Sequence, residues 1–240
     1  MRQLKYIFIV CLVAPSCSNS FEPNIQLVDF ADGASVQKLG QRLIDLPEGL
    51  NLLEPSLLEA EELFIAVHGS RSKGYEWVYP LKTINTKKKE MYFYRWPDQD
   101  CFEAPAEKLI TNIGNLLVNN PSFNKVTLIG HSYGGILVSH VLKNWTSKTS
   151  LEAHIIASPL LGNDLLINSC NYSPLQSINS NAALFEWRTQ HQLDKAFKDV
   201  LPNPQDISIT GSSITILPDT YKGNRLGHNW SISWVADEAF

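Results

Sequence analysis

The chain has 240 residues, the size of one ordinary domain. Apolar residues make up 44% and charged residues 18%, enough to build a core and too apolar for a disordered chain. A net charge of −4 excludes the basic footprint of a nucleic-acid binder, and the one lysine run, Lys87, Lys88 and Lys89, reads as a solvated loop.

At the N-terminus, Arg2 and Lys5 precede an apolar stretch over residues 6–14. That stretch is shorter than the roughly 20 residues a membrane-spanning helix needs, and it suits a secretory signal over residues 1–16. Cys17 behind Ala14 and Ser16 resembles a bacterial lipobox, in which the cysteine becomes the lipidated first residue. Pro15 and the absence of leucine at position 14 depart from that pattern, and Ala14 and Ser16 also suit an ordinary cleavage site. The expectation is an exported chain, in the periplasm or at the outer membrane, anchored if Cys17 is modified.

Residues 17–61 read as a partly helical extension, with helical spacing over 36–46, a break at Pro47 and Gly49, and a Leu/Glu-rich stretch over 50–63 that suits a second short helix. From residue 62 to 240 apolar strand-like runs alternate with helical ones. Strands are predicted over 63–67, 91–96, 125–129, 153–157, 183–187 and 214–217. Helices are predicted over 75–85, 105–119, 136–145, 194–201 and the last dozen residues. This alternation predicts a mostly parallel α/β sheet of about six or more strands with helices on both faces. In such sheets ligands bind beyond the carboxyl ends of the strands.

One motif sits in that position. Gly130-His131-Ser132-Tyr133-Gly134 matches G-x-S-x-G, with a strand running into it and a helix running out, the context of a nucleophile elbow. A second feature, His68-Gly69-Ser70, follows the first clear strand. Of the four cysteines, Cys101 and Cys170 remain once Cys11 and Cys17 are assigned to the leader and the anchor. In an exported chain this even pair reads either as one disulfide or as two buried thiols. No spacing of His and Cys calls for a metal, and nothing calls for a cofactor.

Through the elbow and His68-Gly69, residues 62–235 resemble the α/β-hydrolase superfamily, in particular its lipase- and esterase-like members. The resemblance implies that Ser132 is the nucleophile and that backbone N–H groups of Ser70 and Tyr133 form the oxyanion hole. It also implies that the acid and then the base follow Ser132 in the chain. Of the six histidines only His191 and His228 lie far enough downstream. His228 occupies the loop after the last strand, where the superfamily places its base. Asp194, after the fifth strand, matches the usual acid position. Asp164 is the second candidate and Asp219 the third, and Asp194 would otherwise serve as a helix cap.

The resemblance implies an acyl-ester substrate, small molecule or lipid, cleaved through an acyl-enzyme without a cofactor. An acyltransferase using the same residues and a non-catalytic, lipid-anchored binding protein are the alternative readings. Residues 159–183 form the longest loop in this half and have room for a small lid.

Overall fold

A computed structural model of the chain describes residues 25–31, 33–54 and 60–240. The signal segment expected over residues 1–16 and the expected lipid site at Cys17 lie outside these described residues. The frame is a seven-stranded sheet of β1 (Gly49–Leu52), β2 (Glu62–Val67), β3 (Lys89–Arg95), β4 (Lys125–His131), β5 (Ser150–Ile156), β6 (Ala182–Arg188) and β7 (Ser213–Ile216). Their spatial order is β1-β3-β2-β4-β5-β6-β7. Every pairing is parallel except that of β1 with β3.

The period-two alternation of a strand divides the core between the two faces. In β2, Leu63, Ile65 and Val67 enter one apolar cluster, and Phe64 and Ala66 enter the other. The first cluster is closed by α3 (Glu103–Asn119) and α4 (Tyr133–Lys143) through Leu109, Ile113, Leu137 and Val141. The second is closed by α1 (Val36–Ile44), α2 (Tyr75–Ile84) and α6 (Trp230–Ala239) through Leu43, Trp77, Leu81 and Val235. Burial on both faces explains why β2 and β4 read as continuous apolar runs rather than alternating ones.

Three local expectations are corrected. The stretch after Gly49 was expected to be helical within an appended segment, but Gly49–Leu52 is an edge strand of the main sheet, Leu50 opposite Tyr94. Ladder pairing and burial of Leu53 outweigh the helix propensity of a Leu/Glu-rich stretch. Residues 194–201 form turns rather than a helix, preceded by a 3-10 turn over His191–Leu193. The Asp194 carboxylate accepts from Ala196 N–H within this turn through Oδ1 and from Thr189 Oγ1 through Oδ2. Conversely, the presumed loop over 159–183 contains a short helix, α5 (Asp164–Ser169), whose first turn is capped by Asn163 Oδ1 accepting from Leu166 N–H at 2.9 Å.

Because β2 and β4 to β7 run parallel, their carboxyl ends lie along one edge. His68, Ser132, Ser158 and Thr189 each stand one or two residues beyond a strand there. A two-stranded hairpin of β8 (Thr220–Tyr221) and β9 (Asn224–Arg225) then leads into the segment carrying His228.

Candidate active site

Ser132 sits between the last residue of β4 and the first of α4, at φ 53° and ψ −124°. A non-glycine residue in that region costs about 1–3 kcal/mol and persists only where its surroundings impose it. Here they do. Its N–H donates to Ile156 O at 2.9 Å, and its carbonyl accepts from Gly135 N–H at 2.9 Å. A Cβ on Gly134 would stand 2.4 Å from His68 O, and one on Gly130 would stand 2.7 Å from Gly134 O. The two glycines are therefore required by close backbone approach. The turn leaves the Ser132 side chain part-exposed in a cavity of about 600 Å³. Tyr133, Pro159, Leu166 and the Cys101–Cys170 pair are among its walls.

Tyr133 is the first residue of α4, and the leading N–H groups of a helix have no acceptor within it. The Ser70 N–H likewise meets no acceptor among the described residues. Both donors flank the Ser132 cavity. The loop carrying Ser70 is held from outside. Asp98 Oδ2 accepts from Arg71 N–H at 2.6 Å, and Gln99 Nε2 donates to Ser70 Oγ at 3.1 Å and to Asp98 Oδ1 at 3.0 Å.

His68, fully buried beneath this loop, has its Nε2 2.6 Å from Arg95 Nη1 and its Nδ1 2.9 Å from Gly69 O. A guanidinium can only donate, so Nε2 accepts and the proton sits on Nδ1. Burial, reinforced by the Arg95 charge, pushes its pKa down to about 4 against the pull of the Gly69 carbonyl and Asp98. The imidazole is neutral, and its 3.7 Å approach to Asp98 is not an ion pair. Its role is to brace the strand end.

His228 Nδ1 lies 2.9 Å from Asp194 Oδ2. Asp194 is fully buried at the end of the turn after β6. Burial by itself would raise its pKa. The His228 bond and charge, a 2.5 Å bond from Thr189 Oγ1 and a 2.8 Å bond from Ala196 N–H outweigh it and hold the carboxyl below its ordinary value. Thr189 is in turn bonded to Gln205, whose Oε1 accepts from Thr189 N–H at 3.0 Å.

His131 holds the other side of His228. Its Nε2 donates to the His228 carbonyl at 3.1 Å, and the two rings lie 4.6 Å apart. Burial, with the His228 charge adding to it, keeps His131 well below its ordinary pKa and therefore neutral. Ser231 Oγ donates to the same carbonyl.

Of the carboxylates considered, Asp194 is the one bonded to His228. Asp164, the first residue of α5, and Asp219 are both exposed. His191 Nε2 donates to the carbonyls of Phe197 and Val200 and meets no carboxylate among the described residues. Ser132 and His228 are not joined by a hydrogen bond among the described residues. His228 lines instead a cleft of about 550 Å³ with Lys195, Gly227 and Trp230. Unliganded sites commonly hold such pairs apart and tighten on substrate.

Sequence reasoning missed Thr189, Gln205, Asp98 and the role of His131. Only Thr189 carried a signal, its place directly after a parallel strand.

A disulfide joins Cys101 to Cys170, 69 residues apart, and ties the loop after β3 to the end of α5 beside Ser132. A loop of that length is worth about 4 kcal/mol in the chain-entropy account. Among the described residues no group of His, Cys, Asp and Glu side chains is placed to hold a metal, and no helix is long and apolar enough to cross a membrane.

No family profile and no curated protein matches the chain. Solved structures do. A candidate thioesterase from Silicibacter sp. superposes with a TM-score of 0.55 at 15% identity, over 91% of this chain and 82% of that one. A serine hydrolase of Xanthomonas campestris described as lacking a lid gives 0.50 at 13%, over 81% and 88%. Aspergillus fumigatus lipase B gives 0.51 at 11%, over 67% of this chain and 45% of its own. At these identities the likeness is one of architecture: the chain has the α/β-hydrolase fold, shared with esterases, lipases and thioesterases.

Proposed function

We propose that the chain is a serine hydrolase of carboxylic esters in which Ser132 is the nucleophile, His228 the base and Asp194 the acid. The observation that carries this reading is the elbow. A serine is held at φ 53° on the tip of a central parallel strand, its side chain facing a cavity and unpaired backbone N–H groups flanking it.

A serine hydroxyl needs a base to attack an ester. His228 takes the Ser132 proton through Nε2, because its Nδ1–H is committed to Asp194. Asp194 fixes that tautomer and stabilises the imidazolium as it forms. The Ser70 and Tyr133 N–H groups receive the negative charge of the tetrahedral oxygen, each worth about 3 kcal/mol. The alcohol leaves with the proton from His228, and water attacks the acyl-enzyme by the same route. Substrate binding must bring Ser132 Oγ and His228 Nε2 into hydrogen-bond contact.

Hydrolysis of p-nitrophenyl esters of graded chain length tests this reading. Ser132→Ala and His228→Ala each lower kcat by about 10⁴-fold or more. Full activity in both variants sinks the assignment. We further propose, from the N-terminal residues, that the chain is exported and that Cys17 carries a lipid anchor.

A further inference from the structure

The cleft that His228 lines shares Asn229 and Trp230 with a neighbouring groove of about 330 Å³. The groove is lined by the rings of Tyr75 and Tyr79 from α2, Tyr221 from β8 and Trp230 from α6. Three of these are unusually open for such large side chains: Tyr75 is 42%, Tyr79 41% and Trp230 45% exposed.

Their polar tips do not explain the exposure. Tyr79 and Tyr221 each donate a hydroxyl to Asp237, both at 2.6 Å. Lys222 Nζ sits 2.9 Å from Asp237 and lies over both tyrosine rings at 4.5 and 4.8 Å. Tyr221 and Trp230 meet edge to face at 5.9 Å. Tyr79 and Tyr221 are thus held with both hydroxyls engaged and Lys222 over their rings, while Tyr75 and Trp230 leave much of their ring surface open to the groove. A preformed slot of this kind favours a flat, unsaturated ligand over a polyhydroxylated one.

We propose that this groove receives the alcohol half of the ester, and that the substrates are esters of alcohols carrying an aromatic ring system. The proposal rests on the hydrolase reading above. When the tetrahedral adduct on Ser132 collapses, the bond between the acyl carbon and the alcohol oxygen breaks. The electron pair stays on that oxygen, and the His228 proton moves to it. The alcohol oxygen therefore lies against His228, and the rest of the alcohol must occupy space adjoining His228. The cleft lined by His228 is that space, and the groove extends it through the shared Asn229 and Trp230, while the acyl chain faces Leu165, Leu166 and Pro159 beside Ser132.

Methyl butyrate and 2-naphthylmethyl butyrate test this, because the two alcohols differ little in acidity and the comparison reports binding of the alcohol. The wild type favours the naphthylmethyl ester by about tenfold or more in kcat/KM, a ratio that falls toward unity in Trp230→Ala and Tyr75→Ala and is largely kept in Trp230→Phe. Both truncated residues are half-exposed, so the fold is expected to survive.

Calorimetric titration of Ser132→Ala protein with 2-naphthylmethanol gives a second readout. Binding is expected there and is lost when Trp230→Ala is added. Hydrolysis of both esters with a ratio that neither truncation changes overturns the groove and leaves the hydrolase intact. Turnover of neither ester above the Ser132→Ala rate overturns both. Absence of 2-naphthylmethanol binding also overturns the groove.

Discussion

His68 is protonated in the unfolded chain below about pH 6.5 and is held neutral in the fold down to about pH 4. Between those values the unfolded state binds a proton that the folded state refuses, so stability is full above pH 6.5 and declines as pH falls to 4. The loss amounts to about 3 kcal/mol for a fully buried group. His131 adds to it in the same direction. Melting temperatures measured from pH 7 to 4 should therefore fall more steeply in the wild type than in His68→Gln. Parallel curves would contradict the assignment of a neutral, buried imidazole. The same residue shows where sequence reading stops. His68-Gly69 was legible as a strand end, but that Arg95 and Trp96 would arrive at its ring from the next strand was not. Such contacts join residues far apart in the chain and leave no local period.

At the level of elements, the strands buried on both faces were the most legible, because β2, β3, β4 and β5 are short apolar runs bounded by turns. The first strand was not. Gly49–Leu52 is too short for its alternation of Leu50, Asn51 and Leu52 to stand out from the Leu/Glu-rich stretch around it, and it acquires its conformation by pairing with β3. The elements before residue 62 also complete the second core cluster, through Phe30, Leu39, Leu43, Leu46 and Leu53. At about 1.5–3 kcal/mol for each buried side chain, their removal costs as much as a typical domain's whole stability. A chain beginning at residue 62 is accordingly expected to lack a cooperative thermal transition. A truncated protein melting like the full chain would show that the earlier elements are an accessory.

For the molecule as a whole, the position of the sheet's carboxyl edge relative to a membrane depends on the proposed anchor. Labelling of expressing bacteria with a lipid precursor should mark the wild type and not Cys17→Ala, and equal labelling of both would exclude Cys17 as the attachment point. The sequence by itself determined the α/β architecture and the placing of Ser132 between a strand and a helix. Those are written in local periodicity and in glycines that a tight turn demands. The tertiary structure decided what no local pattern encodes. It set Asp194 against His228 rather than Asp164 or Asp219, closed the Cys101–Cys170 bridge beside Ser132, and gathered the aromatic groove from three separate elements. These are choices among residues that the chain holds far apart, and only the packing of the sheet and its helices brings one combination within bonding distance.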